Sequence, residues 1–256
     1  NEQLASVKHH FIADRSVNEP LTAGEYEKEA LAKMASLWEK FPILIAVGGS
    51  GLFLKALMEG LDDLPKSDPA LHAKWEEVFS KNGLSALQES MLQIDPQYFQ
   101  QIDQFNPRRL IRALVLAEQS GKSNLELRKG FKRDRPFKMI PILLEMDRNE
   151  LYYRIDLRVD KMMAEGLLQE ASNLLSNRDL SSLQTVGYRE IFDHLDGKYD
   201  LPAAIDKIKQ HTRNYAKRQM TWFNNSGEWH RFHPSQMSEI KELIGKETGY
   251  LPEPSL

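Results

Sequence analysis

The sequence contains no cysteine. That excludes disulfides, thiolate metal sites and a cysteine nucleophile, and it fits a reducing compartment. No apolar run approaches the ~20 residues that a membrane-spanning helix needs, which excludes an integral membrane protein of that kind. Charge of one sign is missing too. The 34 Lys and Arg stand against 37 Asp and Glu, a formal charge of −3, which argues against a uniformly basic nucleic-acid binder. The seven histidines form no metal site: His9 and His10 are adjacent and would point to opposite faces of a strand, His72, His194 and His211 are isolated, and His230 and His233 lack carboxylates at ligand spacing. No Ser-His-Asp arrangement stands out. What remains is an ordinary globular composition, 41% hydrophobic and 28% charged over 256 residues, ample for a buried core.

The punctuation of the chain suggests an α/β protein interrupted by helices. Thr22-Ala-Gly-Glu25 reads as a capping box, followed by Leu31, Met34 and Trp38 at helical spacing. The run Ile43-Leu-Ile-Ala-Val47 is continuously apolar, the pattern of a central parallel strand covered on both faces. Gly48-Gly-Ser-Gly51 follows, then a helix from about 52 to 59 that stops near Gly60. At the end of a parallel strand such a loop is either a ligand-binding edge or a tight strand-to-helix turn, two readings of equal weight. From Leu64-Pro65 to about Lys129 only helical periodicity appears, broken by Asn82-Gly83, Asp95-Pro96 and Asn106-Pro107. Residues 139–144 look like a return to a sheet, although Pro141 weakens that reading. Helices are expected over about 148–165, 167–176, 187–195 and from near Pro202, then a short strand over 228–232 and an amphipathic tail helix. The expectation is a core over 1–64 and 129–256 with an all-helical insertion over 65–128 and a helix-rich C-terminal part.

Two phosphate motifs are only apparent. Ser120-Gly-Lys-Ser123 imitates the end of a Walker A loop, but Leu116 stands where its first glycine belongs and a helix precedes it, so a C-cap at Gly121 is favoured. Gly49-Ser-Gly51 lacks the third glycine of a dinucleotide fingerprint, where Leu54 sits. The arginines say more. Asn106 and Pro107 suit the N-cap and first position of a helix, placing Arg108, Arg109 and Arg112 in its first turns, against the helix dipole by ~0.3–1 kcal/mol each. With Leu110, Ala113, Leu114 and Ala117 on the apolar side, the arginines are expected to face outward. From Gln104 to Lys138 ten Lys/Arg stand against three Asp/Glu, and Lys207, Lys209, Arg213, Lys217 and Arg218 follow one another without an acid. A surface that tracks a nucleic-acid backbone is favoured over a merely solvated basic face. Near-neutrality overall therefore conceals separated charge. Arg154 and Arg158, four apart on one helix face, either clamp a phosphate or form an exposed basic ridge. Gln184-Thr-Val-Gly-Tyr-Arg189 sets a glycine at a helix start, with groups that suit an anion or a base edge.

Taken in order, these segments resemble the tRNA dimethylallyltransferase (tRNA isopentenyltransferase) family. The resemblance rests on His9-His-Phe-Ile12, Thr22-Ala-Gly-Glu-Tyr26, Val47-Gly-Gly-Ser-Gly-Leu-Phe53, Asn106-Pro-Arg-Arg-Leu-Ile-Arg-Ala-Leu114 and Ser120-Gly-Lys122. It continues through Arg154 to Arg158 with Gly166, Val186-Gly-Tyr-Arg189 and Lys217-Arg-Gln-Met-Thr-Trp222. It implies a core similar to P-loop nucleotide kinases, of nucleotide- and ATP-binding character, with a helical insertion that closes over the tRNA anticodon arm. It also implies transfer of a dimethylallyl group from dimethylallyl diphosphate, with Mg²⁺, to the exocyclic amine of the adenosine 3′ of the anticodon. Carried over by position, Arg158 is the catalytic residue that neutralises the departing diphosphate, and Ser50 lies near the flipped adenosine. Arg108, Arg109, Leu110, Ile111 and Arg112, and Gln184, Thr185, Val186, Gly187, Tyr188 and Arg189, correspond to tRNA-contacting segments. Arg154, Lys217 and Arg218 are candidate phosphate or tRNA contacts, and no metal ligand is assigned. A cytoplasmic monomer without membrane contact is expected.

The family's glycine-rich phosphate loop and its aspartate base would lie upstream of Asn1. The chain alone is therefore expected to be inactive, and some apolar surface around Ile43–Val47 is expected to be uncovered. The closest rival is the same chemistry on a free adenine nucleotide, which needs no long basic insertion; competition between tRNA and AMP as acceptor separates the two. A small-molecule P-loop kinase would need a phosphoryl acceptor site that the sequence does not suggest. A non-catalytic RNA-binding module leaves Arg158 without a role.

Overall fold

The computed structural model describes residues 7–130 and 132–250. Where the sequence offers a capping residue, a helix begins. Thr22 Oγ1 accepts from the Glu25 N–H at 3.3 Å while the Thr22 N–H donates to Glu25 Oε2 at 3.1 Å, closing the expected capping box of α1 (Ala23–Trp38). The stripe Leu31, Met34 and Trp38 is half-buried, and Trp38 meets Phe137 with ring centroids 4.9 Å apart. α2 (Gly51–Glu59) follows the glycine loop and ends at Gly60, whose φ of 82° suits a residue without a Cβ.

The strand expected at Ile43–Val47 does not form. None of its residues pairs, and Ile45 and Val47 are 80% and 91% exposed. A parallel strand exists only through hydrogen bonds to flanking strands. The one sheet among the described residues has two strands, β1 (Ile142–Leu144) and β2 (His230–Phe232), and neither takes this run. These two pair in parallel, with Leu143 opposite Arg231. Pro141 proves compatible with the sheet because it stands just before the strand and contributes only its carbonyl, accepting from the His230 N–H at 2.9 Å.

Residues Lys55–Arg135 form one compact unit, and the boundary falls inside α2. Its helices are α3 (Pro69–Ile94), α4 (Pro96–Phe99), α5 (Pro107–Ser120) and α6 (Asn124–Leu127), and the breaks come where the sequence placed them. α3 kinks at Gly83, with φ 76° and ψ −169°. Asn106 caps α5 through the Arg109 N–H at 3.2 Å, and Gly121 ends it in the left-handed region at φ 65°. Trp75, Leu87 and Met91 of α3 pack with Leu110, Leu114 and Val115 of α5. Removing each such side chain from water stabilises the unit by about 1.5–3 kcal/mol. Asp95, only 3% exposed, pins the short helices: it accepts from Ser123 Oγ at 2.8 Å, the Asn124 N–H at 2.6 Å and Asn124 Nδ2 at 3.2 Å. Burial pushes this carboxyl up, but the bonds from Asn124, Ser123 and Tyr98 together outweigh it and hold it below its ordinary value.

The remaining described residues form a second unit. Between its strands run α7 (Arg148–Ala164), α8 (Leu167–Asn173), α9 (Tyr188–Leu195) and α10 (Leu201–Asn225), and α11 (Met237–Thr248) follows β2. Its core gathers Val159, Leu167, Ala171, Leu183, Ile191, Phe192 and Ile208. Two ion pairs lock α7 to α10: Lys209 with Asp160 at 2.6 Å and Arg213 with Asp156 at 2.5 Å.

Candidate functional site

The glycine loop owes its composition to α10. Gln219 Nε2 donates to the Gly49 carbonyl at 2.7 Å, and a Cβ at Gly51 would stand 2.4 Å from the Trp222 ring. The loop therefore lies flat on one face of the long helix, an approach that only glycine permits. Ser50, between these two glycines, is exposed, and its hydroxyl has no hydrogen-bond partner among the described residues. Its carbonyl accepts from the Leu54 N–H at 3.1 Å, so the hydroxyl stands at the N-terminus of α2. Lys217 and Arg218 lie on the same stretch of α10 as Gln219 and Trp222. With Asn214, Thr221, Trp222 and Asn225 they line an open cleft of about 590 Å³. Arg218 lies over the Tyr215 ring at 5.7 Å, and Lys217 is exposed. Sequence reasoning singled out Ser50, Lys217 and Arg218 but missed Gln219 and the close approach of Trp222. The only available signal was the pair of glycines flanking Ser50.

Arg154 and Arg158 both project from α7 into solvent. Arg154 approaches Glu150 at 3.9 Å, while Arg158 has no ionic partner among the described residues. Asp156 and Asp160 face α10 through their ion pairs. At 3.6 residues per turn, Arg158 lies roughly 160° around the helix axis from Asp156. Neither arginine is among the residues that line the Lys217–Trp222 cleft.

The segment from Gln184 to Arg189 is a turn followed by the head of α9. Gln184, Thr185 and Arg189 are exposed, Val186 and Tyr188 are half-buried, and Gly187 is buried. Gln184 Nε2 donates back to the Arg178 carbonyl at 2.6 Å, so this amide is already engaged. Gly187 adopts φ 106°. Tyr188 donates its hydroxyl to Glu170 at 2.6 Å, and burial, with that carboxylate, pushes its pKa up to about 12. Under the turn lies Glu190, 3% exposed, which sequence reasoning missed. Its spacing of three from Gly187 was the one legible sign, since that is the spacing of a capping box. His211, read as isolated, sits 2.6 Å from its carboxylate.

In the helical unit, Arg108 and Arg109 face solvent as expected. Arg112 does not. Its Nη2 donates to the Pro65 carbonyl at 2.8 Å, and its Nη1 is buried without a hydrogen-bond partner among the described residues. Burial, with Arg128 nearby, lowers its pKa. The correction has a geometric reason: a residue four on from Arg108 has turned about 40° toward the apolar side, where the segment at Pro65 meets it. Leu110 and Ile111 lie in the core, so their side chains are not available at the surface.

A model of the family described as IPP transferase matches residues 1–226. A tRNA dimethylallyltransferase of Cytophaga hutchinsonii is 42% identical over 243 residues, covering 95% of this chain and 80% of that protein. One from Flavobacterium johnsoniae is 43% identical over 254 residues, covering 95% and 81%. The crystal structure of a tRNA isopentenylpyrophosphate transferase from Bacillus halodurans, 32% identical, matches with a TM-score of 0.66 over 97% of this chain and 80% of that one. A structure of a eukaryotic dimethylallyltransferase acting on tRNA, 21% identical, matches with a TM-score of 0.75 over 99% and 69%, a likeness of fold. This chain belongs to the IPP transferase family.

Proposed function

We propose that this protein transfers a dimethylallyl group from dimethylallyl diphosphate to the exocyclic amine of the adenosine 3′ of the anticodon in tRNA. The observation that carries the reading is the family match over residues 1–226, within which Arg158 stands exposed and, among the described residues, without an ionic partner. In this reaction the amine nitrogen forms a bond to the allylic C1, the C1–O bond breaks, diphosphate leaves as a polyanion, and the nitrogen loses a proton. A guanidinium placed at the leaving oxygens lowers the barrier because charge develops there. Arg158 takes that role, with Arg154 one turn away. Ser50, whose hydroxyl has no hydrogen-bond partner among the described residues, contacts the adenosine once it is turned out of its stack.

In the helical unit, Arg108 and Arg109 on α5 contact the tRNA backbone; in the other unit, Thr185 and Arg189 beside the head of α9, and Lys217 and Arg218 on α10, do so. Leu110 and Ile111 support this contact from within the core. A core like that of the P-loop nucleotide kinases, a monomeric state and a cytoplasmic setting complete the proposal; no helix of the described residues is long and apolar enough to cross a membrane. Mg²⁺ is expected by resemblance, but the described residues contain no group of three or more His, Asp or Glu that could hold an ion. Mg²⁺ is commonly held by one or two carboxylates together with substrate phosphates and water, so the ion that the family implies needs no such group.

Arg158→Ala in the full-length protein tests the reading. Turnover should fall on the order of 10²–10³-fold, the loss typical for one transition-state donor, with tRNA affinity within about twofold of the parent. Unchanged turnover refutes the assignment.

A further inference from the structure

One buried carboxylate in the second unit is explained neither by the hydrophobic core nor by the transfer chemistry. Glu190 Oε2 accepts from the Gly187 N–H at 2.7 Å, and Oε1 meets His211 Nδ1 at 2.6 Å. Arg189 Nη2 lies 3.9 Å from Oε1, and the Tyr199 hydroxyl donates to the Glu190 carbonyl at 3.1 Å. The carboxylate is thus a junction: one oxygen holds the turn before α9, and the other is tied to α10. Burying an ionised carboxylate costs several kcal/mol unless it is fully partnered. The neighbouring core of Leu183, Ile191, Phe192 and Ile208 would hold α9 without it.

The turn it holds is unusual. Gly187, at φ 106° and ψ −62°, lies in a region that residues with a Cβ rarely enter, and its N–H would otherwise be a buried orphan. Two residues before it stands exposed Thr185, whose carbonyl accepts from the Arg189 N–H at 3.3 Å; two residues after it stands exposed Arg189. Exposed Thr185 and Arg189 are therefore set by the geometry of one glycine, and that geometry by Glu190.

We propose that Glu190, braced by His211, is a positioning residue that fixes the Gly187 turn and so presents Thr185 and Arg189 to the RNA backbone. The proposal rests on the tRNA reading above. Neither residue touches RNA; both act through the backbone of the turn. Because a glutamine retains an acceptor for the Gly187 N–H and a second polar atom for His211, the conservative change should rescue what alanine loses.

The test combines amide hydrogen exchange of the free chain with binding of an anticodon stem-loop RNA measured by fluorescence anisotropy. Glu190→Ala should speed exchange at Gly187 at least tenfold and weaken RNA binding about tenfold, which is about 1.4 kcal/mol. Glu190→Gln should stay within about threefold of the parent in both. His211→Leu, at a half-exposed site that tolerates change, should give an intermediate loss in both and serves where the alanine variant does not fold. Faster exchange in Glu190→Ala or His211→Leu with unchanged RNA affinity overturns the positioning role and leaves the tRNA reading standing. A parent chain that binds no RNA, while Glu190 still protects the Gly187 amide, overturns the tRNA reading, and the positioning role falls with it.

Discussion

Gly51→Ala places a single methyl group where the structure has no room for one. Its carbon would stand 2.4 Å from two atoms of the Trp222 ring and 2.8 Å from a third. Relief requires about 1 Å of movement before van der Waals distances are restored. The ring cannot swing away freely: Trp222 packs edge-on to Phe223 at 4.9 Å, and Phe223, itself buried, packs edge-on to Trp229 at 5.1 Å. The displacement therefore passes through three aromatic rings, which sets the cost at about 1–3 kcal/mol for overpacking. Alanine's better helix propensity offsets up to ~1 kcal/mol of this at the head of α2. A net loss of about 1–2 kcal/mol remains, equivalent to roughly 2–8 °C in Tm for a chain of this size. Gly24→Ala is the matched control, because nothing lies within 4 Å of its Cβ position in α1. There the same change should raise Tm slightly, since only the propensity effect operates. Thermal melting of both variants, followed by tryptophan fluorescence, checks the pair. A Gly51→Ala protein that melts at or above the parent would refute the claim that α10 dictates the glycine loop.

The helical unit offers further tests. Asp95→Ala should destabilise the helical unit by about 2–4 kcal/mol at neutral pH, since it orphans the buried Asn124 donors. The carboxyl of Asp95 is held below its ordinary value, so its contribution is present above about pH 4 and lost as the pH falls through the folded-state value; acid unfolding of Asp95→Asn should show a shallower dependence in that window. Replacing Arg108 and Arg109 together by Ala should weaken tRNA binding and reduce the slope of log affinity against log salt by about 2, whereas Arg112→Ala should act mainly on stability. Equal salt slopes for the double variant and the parent would remove α5 from the interface.

The sequence announced what local chemistry decides. Thr22, Asn106, Gly121 and the break at Gly83 all do what their side chains dictate within four residues of themselves, and the two short strands fall inside the runs 139–144 and 228–232. Ile43–Val47 misled because its composition speaks of burial on two faces, while a strand is made by neighbours that composition does not name. Arg112 was misread because amphipathic spacing says which side of a helix is apolar, not which remote carbonyl will reach a residue at the margin. His211 carried no signal at all: its partner Glu190 is separated from it by most of α9 and the start of α10, and only folding brings the two together. Of the candidate site, the residue types were readable; which of them share a surface was not.

The parallel pairing of β1 with β2 also governs the order in which the molecule can assemble. Those strands stand on either side of four intervening α-helices, so their register is among the costliest contacts to close from an open chain. α3 and α5, by contrast, are near neighbours in sequence and need little loop closure to meet. The helical unit should therefore acquire its native contacts early, with the sheet joined last, after α7 to α10 have collapsed and brought the strands together. Slow kinetics confined to probes near Leu143 and Arg231, with fast kinetics at Trp75, would be the signature of that sequence of events.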